Sequence, residues 1–200
     1  QGKSAKLCFD LEDDGPWVAR FVEEIAPIKP QRKARPVDNK ELTLLAAWEF
    51  ADQDKRVLVF QPQANSVISY GETVVELCRR GYLSSLLEDE GEISRALEIG
   101  REWLGDDHPA VGCLRLGVAI HHGRLPNPFL REIERLLAEG VLKVTVASPT
   151  LSQGLNLNAA VLLVPSLYRA GELISGEEFA NVAGRAGGAF VDVEGLVLHV

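Results

Sequence analysis

Short apolar runs recur along the chain from residue 57 to its end, in "RVLVFQ", "GVAIHHG", "KVTVAS", "VLLVPS" and "LVLHV". Each is rich in β-branched residues, too brief for a helix, and without the polar–apolar alternation of a strand that has one wet face. A run that is apolar on both faces fits a strand covered on both sides, which is the situation inside a parallel sheet. Parallel neighbours cannot be joined by a tight turn, so the amphipathic stretches between the runs are expected to be crossover helices. The prediction is an α/β fold: an open, mostly parallel β-sheet with helices on both faces.

Some of those helices are legible in detail. "GETVVELCRRG" carries Arg79 and Arg80 in its last turn and Gly81 at the stop position. In "NPFLREIERLLAEG", Asn127 reads as the cap and Pro128 as the first helical residue. Phe129, Leu130, Ile133, Leu136 and Leu137 then fall on one face before Gly140 ends the helix. An insertion over about residues 82–112 has helical spacing at Ile93, Leu97, Trp103 and Leu104, a break near Gly91 and a stop at Gly105. Its acidic "EDEGE" reads as solvated surface. Residues 1–56 have a different texture: "DNKELTLLAAWEFA" is a helix with a capping box from Asp38 to Glu41, and "APIKPQRKARPVD" is an exposed connector. Its Arg32, Lys33 and Arg35 read as a solvated basic run. The expected division is therefore 1–56, a connector and helix against the core, and 57–200, the α/β domain.

Composition narrows the function classes. The 200 residues carry a net charge of -8, so the chain does not grip phosphate backbones by bulk electrostatics, and any nucleic-acid contact must be local. Cys8, Cys78 and Cys113 are odd in number and widely spaced, which suggests neither a disulfide framework nor a zinc site. Adjacent His121 and His122 on a strand face opposite ways and make a poor metal pair, so no metal site is expected. There is no apolar run near the length of a membrane span and no apolar leader, and the expectation is a cytosolic (cytoplasmic) protein with no membrane partner. The absence of methionine, the start at Gln1 and the strand-like "GLVLHV" at the end lead us to expect a fragment.

Three stretches fall where strands of such a sheet run out, the edge at which α/β proteins bind ligands. They are "FQPQ", "VASPTLSQGLNLNAA" and, before the last strand, "FANVAGRAGG". Together with "GVAIHHGRLP", their order and spacing resemble the second RecA-like domain of superfamily 2 helicases, and within that group the superkiller-type branch of DEAD/DEAH-like proteins. The resemblance covers about residues 57–200, with "VLVF" and its polar sequel as motif IV, "ASPTLSQGLN" as motif V and "NVAGRAGG" as motif VI. It implies a P-loop NTPase-type helicase C-terminal domain, the second half of a two-part motor. ATP and Mg2+ would be held mainly by an N-terminal RecA-like domain of the same full-length chain, with single-stranded DNA or RNA lying across both halves. This chain has no GxxxxGK[ST] loop and no Asp-Glu-x-His or Asp-Glu-Ala-Asp box, so by itself it is not expected to hydrolyse ATP.

Residue by residue, the resemblance implies that Arg185 is an arginine finger. A guanidinium delivered from a second domain stabilises the charge that spreads over the γ-phosphate oxygens. Gly154, Asn156 and Gly184 would join Arg185 at the ATP cleft, while Ser148 and Thr150, Gln61 and Pro62, and His122 and Gly123 would meet the nucleic-acid backbone. The helix from Glu177 to Ala183, with a capping box from Ser175 to Glu178, is expected to fix the base of Arg185. His121 reads as a buried strand residue. Two positions depart from the family pattern: Gly188 stands where a second arginine is usual, and Asn181 where Gln or His is common. An alternative therefore stays open, a degenerate RecA-like module without catalysis that serves protein interaction or complex assembly. A free-standing nucleotide-binding enzyme is a third reading, against which stands the lack of a glycine-rich turn after the first strand.

Overall fold

The computed structural model describes residues 8–9, 17–18, 38–149, 159–169, 171–183 and 196–199. Near the start, Cys8–Phe9 (β1) and Trp17–Val18 (β2) pair antiparallel, a small ribbon the sequence did not suggest. Asn39–Asp52 (α1) follows, capped as expected by Asp38, whose Oδ1 accepts the Glu41 N–H at 2.9 Å. The Glu41 carboxylate does not close the capping box: it turns to Arg80, 3.8 Å away. Thr43, Leu44, Ala46, Ala47, Trp48, Phe50 and Ala51 are all buried, and α1 shares one apolar cluster with the sheet. Trp48 is further fixed by Nε1, which donates to the Ser84 carbonyl at 2.8 Å.

Val57–Phe60 (β3) begins the sheet, and Ala64–Arg79 (α2) leaves its carboxyl end. The sequence reading started this helix at Gly71; the structure begins it seven residues earlier, at Ala64. Gly71 looks like a boundary but sits mid-helix, packed so closely on the sheet that a Cβ there would lie 3.2 Å from Ile120 Cδ1. The insertion forms a 3₁₀ turn at Glu90–Ile93 followed by Ser94–Leu104 (α3) and Pro109–Leu114 (α4). Ile93 is buried as expected, whereas Trp103 is 56 % exposed.

Val118–His121 (β4), Asn127–Glu139 (α5) and Val144–Ala147 (β5) form the next unit. Asn127 is already helical rather than the cap; Pro126 takes the cap position, and no side chain caps α5. Gly140 ends the helix at φ +81°, a left-handed conformation that glycine adopts without steric cost. Val161–Val164 (β6) is followed by a hairpin, Tyr168–Arg169 (β7) with Glu172–Leu173 (β8), then Gly176–Ala183 (α6) and Leu196–His199 (β9).

The five longer strands form one parallel sheet in the order β4-β5-β3-β6-β9, so the α/β fold expected from the sequence is the fold observed, and it is consistent with a RecA-like architecture. Alternate side chains of the central strands serve two cores. Val57 and Val59, Val144 and Val146, Val161 and Leu163 face the large cluster with α1 and α2. Leu58, Phe60, Ala147, Leu162 and Val164 face a smaller one that includes Val182 of α6. Burial on both sides is why these strands read as unbroken apolar runs.

Candidate functional site

Topology singles out one part of the sheet. From β3 the chain leaves toward β4; from the adjoining β5 it leaves in the opposite direction, toward β6. Such a reversal opens a crevice outside the carboxyl ends of the two strands. Here its rims are Gln61–Pro62 after β3 and Ser148–Pro149 after β5, with His122 on the next strand out. The ladder runs one residue beyond the strands: the Gln61 N–H donates to the Ala147 carbonyl at 2.8 Å, and the Ser148 N–H to that of His121 at 3.1 Å. Phe60 and His121 both lie opposite Ala147, so Gln61, Ser148 and His122 form one row with their side chains on the same face.

All three are buried, at 3 %, 5 % and 2 % exposure. A buried polar group left without a partner costs about 1–3 kcal/mol, so what each group satisfies matters. His122 Nδ1 accepts the Arg124 N–H at 3.3 Å, which puts the ring proton on Nε2, and that buried donor has no partner among the described residues. Among the described residues Gln61 Nε2 is also buried with no partner of ordinary hydrogen-bond geometry. The Gln61 side chain reaches the Tyr70 hydroxyl, where hydrogen bonding from it and from Thr43 opposes the rise in pKa that burial causes. Among the described residues, two N–H donors without an acceptor of ordinary geometry thus stand in the row at the carboxyl edge.

Their charge state follows from burial. Burial pushes His122 down to about 4, and His108, His121 and Arg124 act in the same direction, so near pH 7 its ring is a neutral donor. His121 points to the other face of the sheet, where Nε2 donates to Glu134 Oε1 at 3.2 Å. Burial lowers its pKa against the pull of that carboxylate, and it is the buried strand residue the sequence suggested.

Two cations that the sequence reading passed over border the site. Arg124, exposed in the loop after His122, donates from Nη1 to Asn65 Oδ1 at 2.8 Å, tying that loop to the first turn of α2. At that helix start Gln63 takes the cap position in extended conformation and supplies no side-chain cap. The position of Arg124, beside Gly123 in a loop already singled out, was the signal for it. Arg169 on β7 donates from Nε to the Pro62 carbonyl at 3.0 Å and forms an ion pair with Glu178 on α6. No local pattern marks it, since Pro62 is 107 residues away in sequence.

The structure therefore brings together Gln61, Pro62, His122 and Ser148, with exposed Gly123 beside them. Thr150, Gly154, Asn156, Gly184 and Arg185 lie outside the described residues, as do Gly188 and the basic run 32–35. Glu178 of the expected Ser175 capping box is present in half the expected role: its N–H donates to Ser175 Oγ at 3.1 Å, while its carboxylate pairs with Arg169. Among the described residues, no group of three or more His, Cys, Asp or Glu side chains could hold a metal ion, and no helix is long and apolar enough to cross a membrane.

No family model matches the chain. It is 28 % identical over 193 residues to Hachiman protein HamB of Bacillus cereus, covering 86 % of this chain and 16 % of that protein. To the ATP-dependent DNA helicase Hel308 of Aeropyrum pernix it is 39 % identical over 88 residues, 42 % of this chain and 12 % of the helicase. To the ATP-dependent RNA helicase mtr4 of Schizosaccharomyces pombe it is 40 % identical over 90 residues, 42 % of this chain and 8 % of the helicase. The chain is thus homologous to helicases over about 40 % of its length, and it spans less than a fifth of each of these relatives.

Proposed function

We propose that this chain is the second, C-terminal RecA-like half of an ATP-dependent helicase or translocase of the superkiller-type branch, acting on single-stranded DNA or RNA. The observation that carries the reading is the row Gln61, Ser148 and His122 at the switch of the sheet, with two buried N–H donors that have no acceptor of ordinary geometry among the described residues. A phosphodiester oxygen supplies such an acceptor, and backbone contacts of this kind are tolerant of sequence. Gln61, Pro62, His122, Gly123, Ser148 and Thr150 would line the strand. Gly154, Asn156, Gly184 and Arg185 would face ATP held on a preceding RecA-like domain of the full-length chain.

In this reading the domain supplies contacts, not the whole reaction. The donor set of the described residues does not suit Mg2+, so the ion would be held by the other half. Arg185 would donate paired, charge-assisted hydrogen bonds to the γ-phosphate oxygens as charge spreads over them, a contribution of about 10³ to 10⁵ in rate in well-studied cases. Closure of the two halves around ATP, and reopening after its hydrolysis, would make the grip on the strand alternate. Similarity to ATP-dependent DNA and RNA helicases supports this reading without choosing between the two nucleic acids.

One observation favours a second reading. Gly188 stands where the motif usually has an arginine, as it would in a non-catalytic module that only joins a complex. Nucleic-acid-stimulated ATPase of the full-length protein separates the two. The motor reading expects near-total loss in Arg185→Ala and no loss, with room for a gain, in Gly188→Arg. An Arg185→Ala protein with the wild-type rate would remove the finger assignment.

A further inference from the structure

One guanidinium joins three elements that are remote in sequence. Arg169 sits on the β7–β8 hairpin, donates from Nε to the carbonyl of Pro62 at 3.0 Å, and pairs with the carboxylate of Glu178. Pro62 belongs to the rim of the crevice. Glu178 lies near the start of α6, the helix that runs in sequence straight into Gly184-Arg185.

The arrangement suits transmission. A guanidinium holds its donors in a rigid planar fork, so two bonds made from one group fix the orientation of the loop relative to the helix, which a lysine ammonium does not do. On the loop side the partner is a proline, whose fixed φ makes the rim stiff and passes a displacement on instead of absorbing it. On the helix side, α6 is also anchored through the smaller core. Among its described side chains only Val182 is buried, with Phe179 partly so. The Glu178 carboxylate that would have completed the cap at Ser175 is committed to Arg169.

We propose that Arg169 is a positioning residue that couples occupation of the crevice at Pro62 to the orientation of α6. The proposal rests on the helicase reading above, since that reading supplies the strand that occupies the crevice. Movement of the Gln61–Gln63 loop when a strand binds is carried through Arg169 to Glu178 and turns α6. The coupling is reciprocal, so a change at α6 alters the rim and its affinity for the strand.

The test uses the full-length protein, with a single-stranded oligothymidylate and an oligouridylate as probes. Amide hydrogen exchange is followed in residues 61–68 and 176–183, with and without oligonucleotide, alongside the ratio of stimulated to basal ATPase. In wild type, oligonucleotide is expected to change exchange in both segments. In Arg169→Ala the response at 61–68 should persist and that at 176–183 should vanish, with the ATPase ratio falling about fivefold or more, the lower range of typical couplings. Arg169→Lys should not restore it. An α6 response that survives in Arg169→Ala overturns the coupling role. If Arg169→Ala melts below wild type, Glu178→Ala makes the same cut while leaving the Pro62 contact in place, and a surviving α6 response there overturns the role equally. A wild type that neither binds oligonucleotide nor shows stimulated ATPase would bring down the helicase reading itself, an outcome distinct from loss of coupling alone.

Discussion

His122 is held neutral by its surroundings, and this should be measurable as acid sensitivity. Its pKa drops from an ordinary 6.5 to about 4, chiefly because its ring is buried, with His108 at the start of α4, His121 beside it and Arg124 in its loop adding repulsion. As pH falls through 6.5 the unfolded chain takes up a proton at this site, but the folded protein does so only near pH 4. The unfolded state therefore binds more protons throughout that window, and stability falls with acid. The linkage relation gives a loss from this one group of about 2 kcal/mol at pH 5, against a few tenths at pH 7. His122→Gln places an amide donor within similar reach and does not titrate. Urea unfolding of both proteins at pH 7 and pH 5 should show wild type losing about 2 kcal/mol more than the variant between the two conditions. Carboxylates, and the histidines His108 and His121 that burial also depresses, act in both proteins and cancel to first order. Equal pH dependence in the two proteins would refute the buried neutral donor and remove a main support of the proposed interface.

Two further outcomes check the packing on which the site rests. In Gly100→Ala the new Cβ would lie 2.9 Å from the ring of fully buried Phe129 and 3.0 Å from Val111 Cγ2; the strain of about 1–3 kcal/mol should outweigh the roughly 1 kcal/mol gain in helix propensity, lowering the thermal midpoint, and a rise would contradict the close contact of α3 with α5. Burial raises the Cys78 thiol to about 11 and the Cys113 thiol higher still, so both should resist iodoacetamide at pH 7 in the native protein and react in urea, as peptide mass analysis would show; rapid native labelling of Cys113 would refute its burial.

What could be read in advance divides along physical lines. Strands β3, β4, β5, β6 and β9 were visible because residues covered on both faces leave an unbroken apolar run, a signal carried by consecutive residues. The helices were less sharp. Gly71 looked like a boundary because intrinsic propensity punishes glycine mid-helix, and only the approach of Ile120, 49 positions on, explains why it is tolerated there. Asn127 looked like a cap because its side chain favours that role, yet Pro126 occupies the position and the chain enters α5 one residue earlier. Both capping boxes were half right, since Asp38 and Ser175 cap as expected while their glutamates turn to Arg80 and Arg169. The Gly71 and capping-box misses involve a partner from another element, which a local pattern does not contain. For the same reason the burial of Gln61 was not legible: it lies beside Tyr70 of α2 and Thr43 of α1, both on other elements.

The charge of the chain gives this burial its significance. A surface with a net charge of -8 repels a polyanion at long range, so a phosphate contact here has to be made by groups that need no positive field. In the proposed function, neutral N–H donors in a buried row meet that requirement, because hydrogen bonds made by buried groups are stronger than those at the surface. A protonated His122 would add attraction, but at the expense of placing a cation beside Arg124, which the fold avoids by depressing the pKa. A contact built this way should depend weakly on salt, with a slope set by few released counterions, unlike that of a basic groove. The same logic explains why the two bordering arginines are engaged with protein groups: Arg124 with Asn65, and Arg169 with Pro62 and Glu178. They fix the loops beside the neutral donors, which in the proposed function make the contact.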